Sequence, residues 1–294
     1  MKLYRILLLL VIPAMSQAQD DLLNQLQKGD SIQNYPVTAT FKSTRIVNGQ
    51  SVETMKRKHL DFRISHRFGR VNSGAYQFFG LDQATMRMGF EYGVTDRFMV
   101  GVGRSTSQKV YDFFGKYKLI QQTSGAKHIP VSVTLFGGTG LATVNRELEF
   151  QDKIYYTAQV LIARKFGERF SMQVSPSYLY RNKSLVVGDD KLLWAVGIGG
   201  RYKLSKRVSV NAEYFWTARE KNTPTAPYYD SMSVGVDIET GGHVFQLHFT
   251  NSLGMIEKQF IGETTGSWGK GDIHYGFNMS RTFSFDRKNR KSAP

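Results

Sequence analysis

The chain has no cysteine among its 294 residues. A disulfide framework, a thiolate metal site and a thiol nucleophile are therefore excluded. Long apolar runs are also missing. A membrane helix needs about 20 consecutive apolar residues, and the apolar run that begins at Ile6 falls far short. Acidic residues are scarce: 24 Asp and Glu stand against 39 Lys and Arg, a formal net charge of +15. Such a balance invites a nucleic-acid partner, but no recognisable nucleic-acid motif accompanies it. The glycine clusters FGGTG (136–140) and GIGGR (197–201) lack the strand-to-helix setting and the Lys-Ser/Thr pair of a phosphate loop. None of the six histidines shows a two-histidine helical metal spacing. No cofactor or metal is expected.

What is abundant is alternation. In HLDFRISHRFG (59–69), Leu60, Phe62, Ile64 and Phe68 form an apolar row broken only by His66. Asp61, Arg63, Ser65 and Arg67 form a polar row. A period of two is a β-strand with one oily and one wet face. ATMRMGFEY and VSVNAEYFW repeat the pattern, as does IHYGFNMSRTF. Strands are expected near 58–68, 84–92, 97–107, 109–121, 129–140, 153–166, 169–180, 191–204, 207–216, 230–239, 243–251 and 271–284. Short turns (93–96, 124–128, 167–169, 205–207, 240–242) alternate with longer loops (69–83, 141–152, 181–190, 217–229, 252–270).

Charges on the second face could not sit in a dry core, where each would cost several kcal/mol. Lipid outside and a wet lumen inside resolve this. The fold class is all-β: a transmembrane up-and-down antiparallel barrel of twelve strands, with short periplasmic turns and longer extracellular loops. A segment at 37–45 also alternates, but its direction conflicts with a periplasmic origin. It is read as a lumen plug or a cover at the periplasmic mouth. Fourteen strands is the alternative, if 37–45 spans and another strand hides in 142–150.

The expected domains are a signal peptide (1–18), a periplasmic leader with a short helix and plug candidate (19–57), the barrel (58–285) and a basic tail (286–294). The signal-peptide reading rests on a basic tip, a short apolar run and Ser16-Gln17-Ala18 as a cleavage site. It implies export, and together with the barrel it places the chain in the outer membrane of a Gram-negative cell. Expected partners are outer-membrane lipid, barrel-assembly machinery reading the aromatic last strand, and a periplasmic partner docking on the leader or tail.

TATFKSTRIVNGQSVET, followed by LDFRISHRFGRVNSGAYQFFGLDQATMRMGFEYGVTDR and VGVGRS, resembles a Gram-negative envelope family known as a membrane-bound β-barrel domain of unknown function. The resemblance covers most of the mature chain and is most specific in residues 38–104. It implies an outer-membrane barrel and supplies no catalytic residues.

The inward rows carry the candidate functional residues. Eight are basic: Arg63, Arg67, Arg87, Lys116, Lys118, Lys165, Arg201 and Lys203. Five are acidic: Asp61, Glu91, Asp112, Glu213 and Asp237. Lys118, Lys165, Arg201 and Lys203 gather at the periplasmic mouth, either as a basic vestibule or as interfacial anchors or partners of Asp237. The primary functional reading is a narrow channel or small-solute transporter with an anion bias. The alternative is a non-conducting docking barrel. An outer-membrane enzyme ranks third, because His66 has no outward serine beside it. His248 and His274, on neighbouring strands, are expected to make ordinary lumen hydrogen bonds.

Overall fold

The computed structural model describes residues 34–184, 186, 189–219 and 228–286. The signal peptide, the leader helix and the tail beyond Asp286 lie outside the described residues. Twelve strands close into one barrel. They are β1 (His59–Arg70), β2 (Ala84–Gly93), β3 (Phe98–Ser105), β4 (Val110–Ile120), β5 (Ser132–Ala142) and β6 (Ile154–Phe166). β7 (Phe170–Arg181), β8 (Leu192–Lys203), β9 (Val208–Ala218), β10 (Ser231–Thr240), β11 (His243–Thr250) and β12 (His274–Ser284) complete it. Each strand pairs antiparallel with its sequence neighbour. The seam closes between β12 and β1, with Met279 opposite Ile64 and a register shift between His274 and Gly276.

The twelve-strand expectation holds, and the fourteen-strand alternative does not. Neither 37–45 nor 142–150 contributes a barrel strand. The turn expected at 124–128 is part of a longer connection, residues 121–131. There Thr123–Gly125 pairs with Asn34–Pro36 as a separate two-stranded ribbon.

The alternation read from sequence is the alternation of exposure. In β1, Asp61, Arg63, Ser65 and Arg67 are buried, while Phe62, Ile64 and Phe68 between them are not. Outward side chains such as Met88, Phe90, Val102, Ile198 and Leu247 are large, apolar and exposed. Such a belt would be insoluble in water and suits lipid. At its edges, Arg104, Arg164 and Arg281 lie over the rings of Tyr111, Phe166 and Phe283 at 5.3, 5.0 and 5.0 Å. These are interfacial pairs, in which an apolar stem stays in the belt and a charged head leaves it. His66, the exception in the apolar row, stacks on Phe277 at 5.0 Å.

Two segments enter the barrel. Residues 39–57 precede β1, and 40–52 are almost entirely buried. Their centre is a hairpin: Arg45 bridges Gln50, and the Ile46 amide donates to the Gly49 carbonyl at 2.8 Å. The second segment was expected as an external loop. Instead, residues 251–262 are buried apart from Leu253 and include a short helix, α1 (Glu257–Gly262). The reason is apolar: Ile256, Phe260 and Ile261 pack against Val110, Tyr155, Leu179, Leu193, Ala195 and Phe215 on the inner wall. Burying each such side chain contributes roughly 1.5–3 kcal/mol, which an exposed loop would forgo.

Candidate functional site

The inner wall has two chemically different sectors. From β3 to β9 it carries buried apolar groups in two clusters. One holds α1. The other gathers Phe41, Ile46 and Val52 of the hairpin segment against Met99, Phe114, Phe136, Leu161 and Ala163. The sector formed by β10, β11, β12 and β1 is different. Its buried inward positions are Ser231, Ser233, Gly235 and Asp237, then Gln246, His248 and Thr250. They continue as His274, Gly276, Asn278 and Ser280, then Asp61, Arg63, Ser65, Arg67 and Gly69. Every one is polar or glycine.

The hairpin tip, Val47-Asn48-Gly49, lies between Glu213 and this polar sector. The Glu213 carboxylate accepts three successive backbone N–H groups, from Val47 (3.1 Å), Asn48 (2.7 Å) and Gly49 (3.0 Å). Gln246 donates to the Ile46 carbonyl (2.6 Å) and Asn278 to the Val47 carbonyl (3.2 Å). Arg67 donates to Asn48 Oδ1 at 2.6 Å, and Asn48 Nδ2 donates to Ser233 (3.1 Å) and Thr250 (3.4 Å).

The hairpin stem holds further inward charges. Thr44 donates to Glu91, which is also 3.9 Å from Arg45. Arg63 donates to Ser43 (2.6 Å) and Thr44 (3.1 Å) and pairs with Asp61 at 3.6 Å. Lys116 donates to the carbonyls of Thr44 (3.0 Å) and Glu53 (2.7 Å). Arg87 makes a forked ion pair with Asp112 at 3.0 and 2.5 Å.

The hairpin and α1 meet through polar groups. Glu257 accepts from Arg45 at 3.2 Å and from Gln50 at 2.8 Å. Beyond this seam, Arg181 pairs with Asp189 (2.8 Å) and Glu263 (3.8 Å), and Lys258 with Glu263 (2.5 Å). At the outer loops, Asp272 pairs with Arg70 at 3.1 Å. A hydrogen bond from Asn72 holds the Asp272 carboxyl below the usual carboxylate range, with Ser267 N–H and Arg70 assisting.

At the short-turn end lie Lys118, Lys165, Arg201 and Lys203. Lys118 is 3.7 Å from Glu53, and Arg201 is 3.2 Å from Glu239, which also pairs with Lys42 at 2.6 Å. Asp237 instead accepts from Gln246 at 2.6 Å, so Arg201's ion-pair partner is Glu239 rather than Asp237. His248 and His274 do sit on neighbouring strands. His274 bonds the Phe68 carbonyl at 2.9 Å, whereas both His248 ring nitrogens lack a partner among the described residues.

Sequence reasoning did not single out Arg45, Asn48, Gln50, Glu53, Glu239 or Glu257. Two signals for them were present. Asn48-Gly49 is a two-residue turn signal, although the turn that forms is centred one residue earlier, on Val47 and Asn48, and MIEKQFI (255–261) spaces Ile256, Phe260 and Ile261 on a helical face inside a supposed outer loop.

The KdgM porin is similar in arrangement, at 8% identity and TM-score 0.47, covering 78% of this chain and 99% of that one. The COG4313 outer membrane channel from Pseudomonas putida F1 matches at 10% identity and TM-score 0.49, covering 79% and 98%. LpxR from Salmonella typhimurium matches at 11% and 0.37, covering 77% and 100%. No curated protein matches the sequence. A family model, described as a membrane bound beta barrel domain, matches residues 41–283, from the hairpin segment to the last strand, and the chain belongs to that family (DUF5777).

Proposed function

We propose that the protein is a gated narrow channel of the Gram-negative outer membrane, closed in this conformation by the hairpin and α1. The observation that carries this reading is the seam between the two internal segments. Each is anchored by its own apolar cluster, but they meet through Arg45, Gln50 and Glu257. The hairpin tip likewise lies on a wall that is polar throughout. A hydrogen bond to a charged group contributes about 1.5–3 kcal/mol, about what burying a single apolar side chain contributes, and each cluster buries several such side chains. Polar contacts can be exchanged for contacts with water or solute, so the seam is where the interior parts. A permanently sealed barrel has no need of a continuous polar stripe.

The filled interior itself favours a second reading, a barrel that conducts nothing and anchors other envelope components. Planar-bilayer recording separates the two. Glu257→Ala removes the acceptor shared by Arg45 and Gln50, and should raise open probability well above wild type. If neither protein conducts, although both show heat-modifiable migration on gels, the channel reading is wrong and the anchoring one stands.

A further inference from the structure

We infer that the cradle around the hairpin tip is the channel's solute site, and that it takes small zwitterions, namely amino acids and short peptides. The inference rests on the gated-channel reading and names the solute class for it. The tip presents a strip of peptide backbone, and the wall answers group by group. Glu213 accepts three successive N–H groups, while Gln246 and Asn278 donate to two successive carbonyls.

Two charged groups of opposite sign are bridged by a single residue. Asn48 N–H is 2.7 Å from Glu213, and Asn48 Oδ1 is 2.6 Å from Arg67. Both groups are buried, at 3% and 1% exposure. Arg67 otherwise donates to the neutral oxygens of His66 (2.9 Å) and Asn278 (3.3 Å), and its Nε has no partner among the described residues. Glu213 is held by neutral amides of the tip. When the tip withdraws, each charge loses neutral partners that the tip supplied. A buried charge in that position favours an opposite charge. A simple anion would satisfy Arg67 but face Glu213, and a cation the reverse. A neutral polyol supplies hydrogen bonds without charge. A molecule with an ammonium at one end and a carboxylate one or two residues along satisfies both, in the place where the tip of the chain now sits.

Gly49 gives access to the test. A Cβ there would lie 2.7 Å from the Phe215 ring, so Gly49→Val should drive the tip off while leaving every cradle residue in place. Isothermal titration calorimetry of this variant in detergent, with glycylglycine as the probe, should show saturable binding, and erythritol none. Adding Arg67→Met should weaken glycylglycine at least about tenfold, the order expected for losing a charge-assisted hydrogen bond. In liposome swelling, wild type should admit glycylglycine several-fold faster than erythritol, and Arg67→Met should erase that preference, which covers the case in which Gly49→Val does not fold. Flux without a dipeptide preference, or binding indifferent to Arg67→Met, overturns the solute assignment and leaves the channel standing. Binding that depends on Arg67 with no flux in any variant overturns the channel and leaves the cradle as a zwitterion site.

Discussion

Arg87 and Met88 are adjacent in sequence and opposite in fate, which shows how far a residue's environment here depends on parity. Arg87 is buried with its guanidinium forked onto Asp112, while Met88 is 44% exposed on the lipid face. Charge on the outward row should therefore be expensive. Met88→Arg should cost about 2–4 kcal/mol near the bilayer midplane. Thr85→Arg, facing inward beside a cavity of about 450 Å³, should cost little; reversible urea unfolding in lipid vesicles measures both. Equal losses would contradict the facing seen in β2. For the pair itself, Arg87→Met leaves Asp112 buried without its partner, and breaking such a pair costs about 3–5 kcal/mol. Asp112→Asn on top of Arg87→Met should recover much of that loss, because the uncompensated charge is gone. Failure to recover would mean that Arg87 matters for its packing rather than for its ion pair.

At the level of elements, the strands were legible because lipid and lumen impose opposite demands on alternate residues. Phe62 and Arg63 could exchange places only at a cost on both faces. Expected boundaries such as 153–166 and 207–216 accordingly lie within two residues of β6 and β9. The two internal segments were less legible, because neither is set by parity. The hairpin is fixed by partners far away in sequence, such as Glu213 and Asn278, and α1 by apolar groups on five strands. A long connection between strands reads as external until something shows that its apolar residues have a wall to meet. The hairpin's independence from the barrel ladder leads to a prediction. Deleting residues 19–50 removes no pairing between barrel strands, so the barrel should still form and should conduct more than wild type in planar bilayers. Loss of heat-modifiable migration would show instead that the hairpin is needed for the barrel to close.

Across the whole molecule, charge is distributed along the barrel axis rather than around it. Acids and bases pair in the middle, as with Arg87 and Asp112 or Arg45 and Glu257. The short-turn end is richer in bases: Lys42, Lys118, Lys165, Arg201 and Lys203 lie there with Glu53 and Glu239. Bases outnumber acids at this end even when Asp96 and Glu168 of the short turns are counted with Glu53 and Glu239, and a low-dielectric barrel wall focuses the field across the mouth. A channel opened by Glu257→Ala should therefore prefer anions, read as the sign of the reversal potential in a potassium chloride gradient. The preference should be moderate and should fade as salt rises, since the Debye length is only about 3 Å at 1 M. Changing Lys118, Lys165 and Lys203 together to Glu should reverse its sign. These side chains lie near the rim and outside the tip cradle, so the dipeptide preference should survive the reversal. A cation-selective parent, or an anion preference indifferent to the triple change, would show that ions are sorted deeper in the barrel, at Arg67 and Glu213, and not at its mouth.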